Sequence, residues 1–126
     1  MWKRQNNLFI GIDIIEINRI EQAVKEQGDK FLNRVYTKRE IEKYAGLHQS
    51  LAARFAAKEA VIKAMDTAGE GISYKNIEVL AEPGGKPVII LHQKAKTLAE
   101  SLGITGFSVS LSHSDNYAVA MVIGEC

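Results

Sequence analysis

The chain has 126 residues, 46% of them hydrophobic and 25% charged, with a formal net charge of +1. This suits one globular domain, residues 1–126, with a sizeable core, and it gives no global electrostatic case for nucleic acid or an anionic membrane as partner. The only cysteine, Cys126, excludes an intrachain disulfide and a cysteine-based zinc site and fits a reducing compartment.

The start, Met1-Trp2-Lys3-Arg4, has the charge of a signal-peptide flank. The apolar run behind it is broken by Asp13 and Glu16, and no small-residue cleavage site follows, so a cytoplasmic protein is expected. No segment approaches the length of a membrane span. Residues 8–17, Leu-Phe-Ile-Gly-Ile-Asp-Ile-Ile-Glu-Ile, read as a strand apolar enough for burial on both faces. Asp13 stands in its middle. A carboxylate there costs several kcal/mol to bury unless it is paired or holds a cation. A salt bridge to Arg54 or Lys58 and a metal site are therefore both open readings. Asn18, with Glu21 three residues on, predicts a helix over 18–27 ending near Gly28. Thr37 and Glu40 make a second capping box, opening a short helix that stops near Gly46.

A long helix is expected from about 49 to 67, closed by Gly69 and Gly71. Its segment 54–63, Arg-Phe-Ala-Ala-Lys-Glu-Ala-Val-Ile-Lys, is rich in strong helix formers. At about 100° per residue, Ala56, Ala57, Ala60, Val61 and Ala64 share one face, which lets the helix sit close to its neighbours. Arg54, Lys58, Glu59 and Lys63 spread over the other, with Phe55 and Ile62 among them. One carboxylate among three cations is what a site for a metal ion and several phosphate oxygens needs. The plainer reading is a surface helix with a Glu59–Lys63 pair at i,i+4.

In the second half, residues 76–82 and Val88–Leu91 read as a hairpin around the turn cluster Glu82-Pro83-Gly84-Gly85-Lys86-Pro87. That cluster is a turn on its own merits, although a glycine pair beside a lysine can approach a phosphate or a base closely. Residues 93–102 predict an amphipathic helix with Ala95, Leu98, Ala99 and Leu102 on one face and Gly103 at its end. Residues 107–112 and 117–123 alternate as strands joined by Ser112-His113-Ser114-Asp115-Asn116. His113 there is either a solvated turn histidine or, with the flanking serines, part of a phosphate cradle. The order of elements argues for an α+β domain with a mostly antiparallel sheet and a long central helix.

Two carboxylates, Asp13 and Glu59, match the number Mg²⁺ takes from protein when water and phosphate oxygens fill its octahedron, and Mn²⁺ suits the same ligands. His48, His92 and His113 lack zinc-ligand spacing.

Four pieces stand in order: Gly11-Ile12-Asp13-Ile14-Ile15-Glu16 with Arg19, Arg54-Phe55-Ala56-Ala57-Lys58-Glu59-Ala60 with Lys63-Ala64, Gly85-Lys86-Pro87, and Ser110-Leu111-Ser112-His113-Ser114 with Tyr117-Ala118. Together they resemble the holo-acyl-carrier-protein synthase family, the small phosphopantetheinyl transferases, over about residues 8–123. The resemblance implies transfer of the phosphopantetheine arm of coenzyme A to a serine of an apo acyl carrier protein, releasing adenosine 3′,5′-bisphosphate. It makes Asp13 and Glu59 magnesium ligands, and Glu59, directly or through a metal-bound water, the base. Lys63 would stabilise the pyrophosphate. Arg54, Lys58, His113 and Gly85-Lys86-Pro87 would lie near the nucleotide and its phosphates. Arg19, with Lys25 and Lys30 beyond it, would receive the acidic carrier, on a patch diluted here by Glu21 and Glu26. The family also implies a homotrimer with active sites between subunits. A coenzyme A-binding module without catalysis and a nucleic-acid-binding domain are the rival readings; both candidate metal carboxylates count against the first, and the low charge and 7% aromatic content against the second.

Overall fold

A computed structural model describes residues 8–66 and 71–126. Strand β1 (Phe9–Glu16) leads directly into helix α1 (Ile17–Gln27), followed by α2 (Asp29–Val35), α3 (Lys38–Tyr44) and α4 (His48–Met65). A 3₁₀ turn at Tyr74–Asn76 opens the second half, which continues through β2 (Ile77–Ala81), β3 (Pro87–Leu91), α5 (Gln93–Ser101), β4 (Gly106–His113) and β5 (Tyr117–Glu125). All strand pairs are antiparallel, as expected, but they form two sheets: β1-β5-β4 in one and the β2-β3 hairpin in the other.

Three local readings change. Asn18 lies inside α1, which starts without a side-chain cap. Helix α2 is an addition, because Gly28, at φ 57°, both ends α1 and starts α2: its carbonyl accepts from the amides of Phe31 and Leu32 at 3.1 and 3.2 Å. Helix α4 is closed by Asp66 in the left-handed region at φ 52°; Gly71 lies further on, and Gly69 is outside the described residues, as is the Met1–Arg4 flank. The Thr37–Glu40 capping box forms as read.

The three-stranded sheet lays one face on α4. Register places Phe9, Gly11, Asp13 and Ile15 of β1 in line with Gly124, Val122, Ala120 and Ala118 of β5, and with Phe107, Val109, Leu111 and His113 of β4. The alanine face of α4 meets this row, with Ala56, Ala57 and Ala60 fully buried. Contact is closest at Gly11, where a Cβ would stand 1.9 Å from the carbonyl oxygen of Ala60. The other sheet face is open, apolar along β1 and β5 and lined by Ser108, Ser110 and Ser112 on β4. Ile10, Ile12 and Ile14 are about 60% exposed, and Met121 and Tyr117 join them. The burial expected on both faces of β1 is therefore met on one only, because a single chain supplies helices to one side of this sheet.

Gly11→Ala must push α4 off β1 by backbone movement. We expect it to lower the unfolding free energy in urea by about 3 kcal/mol.

Candidate active site

Helix α4 and strand β1 cross at the small-residue contact, and the polar residues beside that crossing converge. Asp13 points to the helix side of the sheet with its side chain 16% exposed. Lys63, one turn from the end of α4, leans to the strand and donates to Asp13 Oδ1 at 2.9 Å and to the Ile12 carbonyl at 3.1 Å. Asp13 is thus paired, but with neither Arg54 nor Lys58, and Lys63 takes this partner in place of Glu59 one turn earlier. The Asp13 hydrogen bond is the main reason that the Lys63 ammonium pKa is raised, with a smaller contribution from Glu59.

Glu59 is half-buried on the same side of α4 and accepts a short hydrogen bond from the Tyr74 hydroxyl at Oε1. Burial first, then Glu59 and Asp13, push the Tyr74 phenol up to about 12. Asp13, Glu59, Lys63 and Tyr74 therefore form one electrostatic cluster drawn from β1, α4 and the 3₁₀ turn. Among the described residues nothing donates to Asp13 Oδ2 or Glu59 Oε2. Two carboxylates, each with one oxygen held and one uncommitted, fit a hard divalent cation that completes its shell with water and phosphate oxygens. No group of three or more metal-ligating side chains occurs among the described residues.

The other two cations of α4 are elsewhere, because the helix is covered on both sides. Lys58 is fully buried, and its three hydrogens go to Glu40 Oε1 at 2.8 Å, the Tyr74 carbonyl at 3.1 Å and the Ile77 carbonyl. With these three bonds and full burial, the ammonium in this conformation has no donor left to offer the phosphate read for it from the sequence. Glu40, also fully buried, accepts in addition from the backbone amides of Thr37 and Val79 at 2.8 and 2.7 Å. Nearby Glu78, 2% exposed, binds Thr37, Arg39 and His92, and these hydrogen bonds outweigh its burial and hold its carboxyl down at about 2. Arg54, 8% exposed, donates to the carbonyls of Val79 and Ser50 at 3.1 and 3.4 Å and lies 3.7 Å from the centre of the Tyr44 ring. It fastens α4 to β2 and α3.

His113 ends β4, exposed, with only a 3.3 Å contact to the Ser114 carbonyl. It is two strands and two residues from Asp13 in the sheet register, roughly 12 Å by strand geometry. Gly85, at φ 93°, and Lys86 are exposed in the β2–β3 turn, which is closed by Glu82–Lys86 and Gly85–Glu82 backbone bonds. No hydrogen bond or ion pair joins His113 or Gly85–Pro87 to Asp13, Glu59 or Lys63 among the described residues. Arg19, Lys25 and Lys30 are exposed on α1 and α2. The residue the sequence reading missed is Tyr74. It lies outside every periodic segment, and the signal available was its place between Gly71 and the β2 strand.

The model of the 4′-phosphopantetheinyl transferase superfamily matches residues 9–122. The holo-[acyl-carrier-protein] synthase of Ruminiclostridium cellulolyticum is 48% identical over 121 residues, covering 92% of this chain and 90% of that protein. The crystal structure of the Helicobacter pylori holo-[acyl-carrier-protein] synthase in complex with coenzyme A superposes with a TM-score of 0.83 at 36% identity, over 92% of this chain and 99% of that one. That of a Bacillus anthracis holo-(acyl-carrier-protein) synthase in complex with coenzyme A (3′,5′-ADP) gives 0.75 at 39% identity, over 93% and 95%.

The two lysines of α4 should separate by stability. Lys58→Met leaves Glu40 buried without its cation and should cost about 3–5 kcal/mol in urea unfolding. Lys63→Met, at a site 55% exposed, should cost under about 1 kcal/mol.

Proposed function

This chain belongs to the 4′-phosphopantetheinyl transferase superfamily, among its holo-[acyl-carrier-protein] synthases, and on that premise we propose that it moves the phosphopantetheine arm of coenzyme A onto a serine of an apo acyl carrier protein. The observation that carries this reading is the convergence of Asp13, Glu59 and Lys63 where β1 and α4 cross. Asp13 and Glu59 would hold Mg²⁺, or Mn²⁺, which when bound would neutralise pyrophosphate charge and polarise the phosphorus under attack. Lys63 places an exposed ammonium beside both carboxylates, where it can turn to a pyrophosphate oxygen. The carrier serine Oγ forms a bond to the β-phosphorus of coenzyme A as the pyrophosphate P–O bond breaks, and Glu59 takes the serine proton. Adenosine 3′,5′-bisphosphate leaves. Arg54, buried with its Nε and Nη1 bonded to carbonyls, would support the site, and Lys58 would hold its frame. Arg19, Lys25 and Lys30 offer the basic contacts an acidic carrier needs. A cytoplasmic location belongs to the same proposal, and the single cysteine is compatible with a reducing compartment; no helix among the described residues is long and apolar enough to cross a membrane.

The assembly we propose is a homotrimer. Its support is the open sheet face of Ile10, Ile12, Ile14, Tyr117 and Met121, larger in character than the scattered apolar residues of a monomer surface. In this arrangement His113 and the Gly85-Lys86-Pro87 turn of a neighbouring copy would reach the nucleotide that Asp13 and Glu59 hold by its pyrophosphate. Ile12→Lys should then sediment as a monomer and lose transfer with its carboxylates intact; a monomeric wild type would sink this assembly.

Mass spectrometry of an apo carrier incubated with this protein, coenzyme A and Mg²⁺ should show the gain of one phosphopantetheine, abolished by a chelator. Asp13→Asn and Glu59→Gln should each reduce the rate at least about 100-fold. Stoichiometric coenzyme A binding without transfer to any carrier would instead make this a binding module.

A further inference from the structure

The buried pair Glu40–Lys58 does more than fill the interior, because one of the Lys58 hydrogens goes to the backbone of Tyr74. The 3₁₀ turn that carries Tyr74 is fixed at three points. Ser73 and Asn76 cap each other across it, with Asn76 Oδ1 accepting from the Ser73 amide at 3.1 Å and Ser73 Oγ from the Lys75 amide at 3.2 Å. Lys58 holds the Tyr74 carbonyl. The Tyr74 ring lies against Phe55, centroids 5.2 Å apart at 44°. Phe55 sits one turn before Glu59 on the same helix, so the ring and the carboxylate are tied to the same stretch of α4. The hydroxyl then has one partner, Glu59 Oε1.

Resting on the functional reading above, we propose that Tyr74 is a positioning residue for Glu59: its hydroxyl engages Oε1 and fixes the carboxylate plane so that Oε2 faces the side shared with Asp13 and Lys63. A glutamate has three rotatable bonds, and a partly exposed one samples several rotamers unless something holds its head group. Among the described residues no cation is hydrogen-bonded to it: Lys63 is turned to Asp13, Lys58 to Glu40 and Arg34 to Gln27. A neutral donor orients the carboxylate without cancelling the charge that a divalent cation or a serine proton requires. Hydrogen bonds to metal-binding carboxylates are typically worth 10–100-fold in metal affinity or activity.

The test is Tyr74→Phe, which keeps the ring on Phe55 and removes only the hydroxyl, beside Tyr74→Leu, which removes both. The probe is Mn²⁺ alone, with free ion counted by electron paramagnetic resonance, followed by steady-state transfer to the carrier. For Tyr74→Phe we expect an unchanged thermal midpoint, a Mn²⁺ dissociation constant raised about tenfold, and a kcat reduced by a similar factor with KM for coenzyme A unchanged. Tyr74→Leu should match those losses and also lower the midpoint. Wild-type Mn²⁺ affinity and kcat in Tyr74→Phe, with losses only in Tyr74→Leu, would overturn the proposal and leave Tyr74 a packing residue, with the transferase reading intact. Wild-type protein that binds no Mn²⁺ through Asp13 and Glu59 would overturn both.

Discussion

The arrangement depends on how closely α4 can approach β1. Ala56, Ala57 and Ala60 give the helix a flat side, and Gly11 gives the strand a gap where a Cβ would strike the Ala60 carbonyl. The distance between a helix and a sheet is set by the side chains that stand between them. Where both partners are this small, the backbones close in, and residues at the edges of the contact come within hydrogen-bonding range across it. Asp13, two residues beyond Gly11, and Lys63, three beyond Ala60, are such residues. Their bond depends on the glycine and the alanines as much as on their own charges.

A second constraint acts from the opposite side of α4. Lys58 and Glu40 are removed from water together and satisfy one another, two carbonyls and two backbone amides. A buried pair of this kind gains little over a hydrophobic substitute. What it supplies is register: α3, α4, the 3₁₀ turn and β2 can satisfy this one ammonium and one carboxylate in a single alignment. That alignment is also the one that brings Tyr74 over Glu59.

Much of this was legible in the sequence. A β-rich apolar run located β1, alternation and turn chemistry both hairpins, helical amphipathicity α5, and the Thr37–Glu40 box α3, because these signals are local. Asp13 and Glu59 were brought together first by ligand count, two carboxylates for one Mg²⁺, and then by the resemblance; spacing could not do it, since the two residues share no element. Three things were not legible. Helix α2 is seven residues long, and its buried Phe31, Leu32 and Val35 were hidden behind a glycine that reads as an end and is also a beginning. The open face of β1 looked buried because apolar residues on both sides of the strand, half of its positions being isoleucine, erase the alternation that marks a surface. The polar face of α4 looked like surface because helical angle tells which residues share a side, and does not tell what covers that side.

The three cations of α4 differ in what covers them. Arg54 and Lys58 stand about 40° apart on the helical wheel and Lys63 about 140° or more from both, and their exposure runs from 8% and 0% to a side chain 55% open. A cation that must turn toward an arriving phosphate has to leave its resting partners cheaply. Lys63 can: its bonds to Asp13 and the Ile12 carbonyl are at the surface, where water replaces what is lost, and an exposed pair is worth at most about 1 kcal/mol. Lys58 cannot, because its departure would strand Glu40 and two carbonyls in the interior. Burial therefore separates the cations of α4: Lys63 is the one able to turn to the phosphate proposed above, while Arg54 and Lys58 stay bonded to the carbonyls around them.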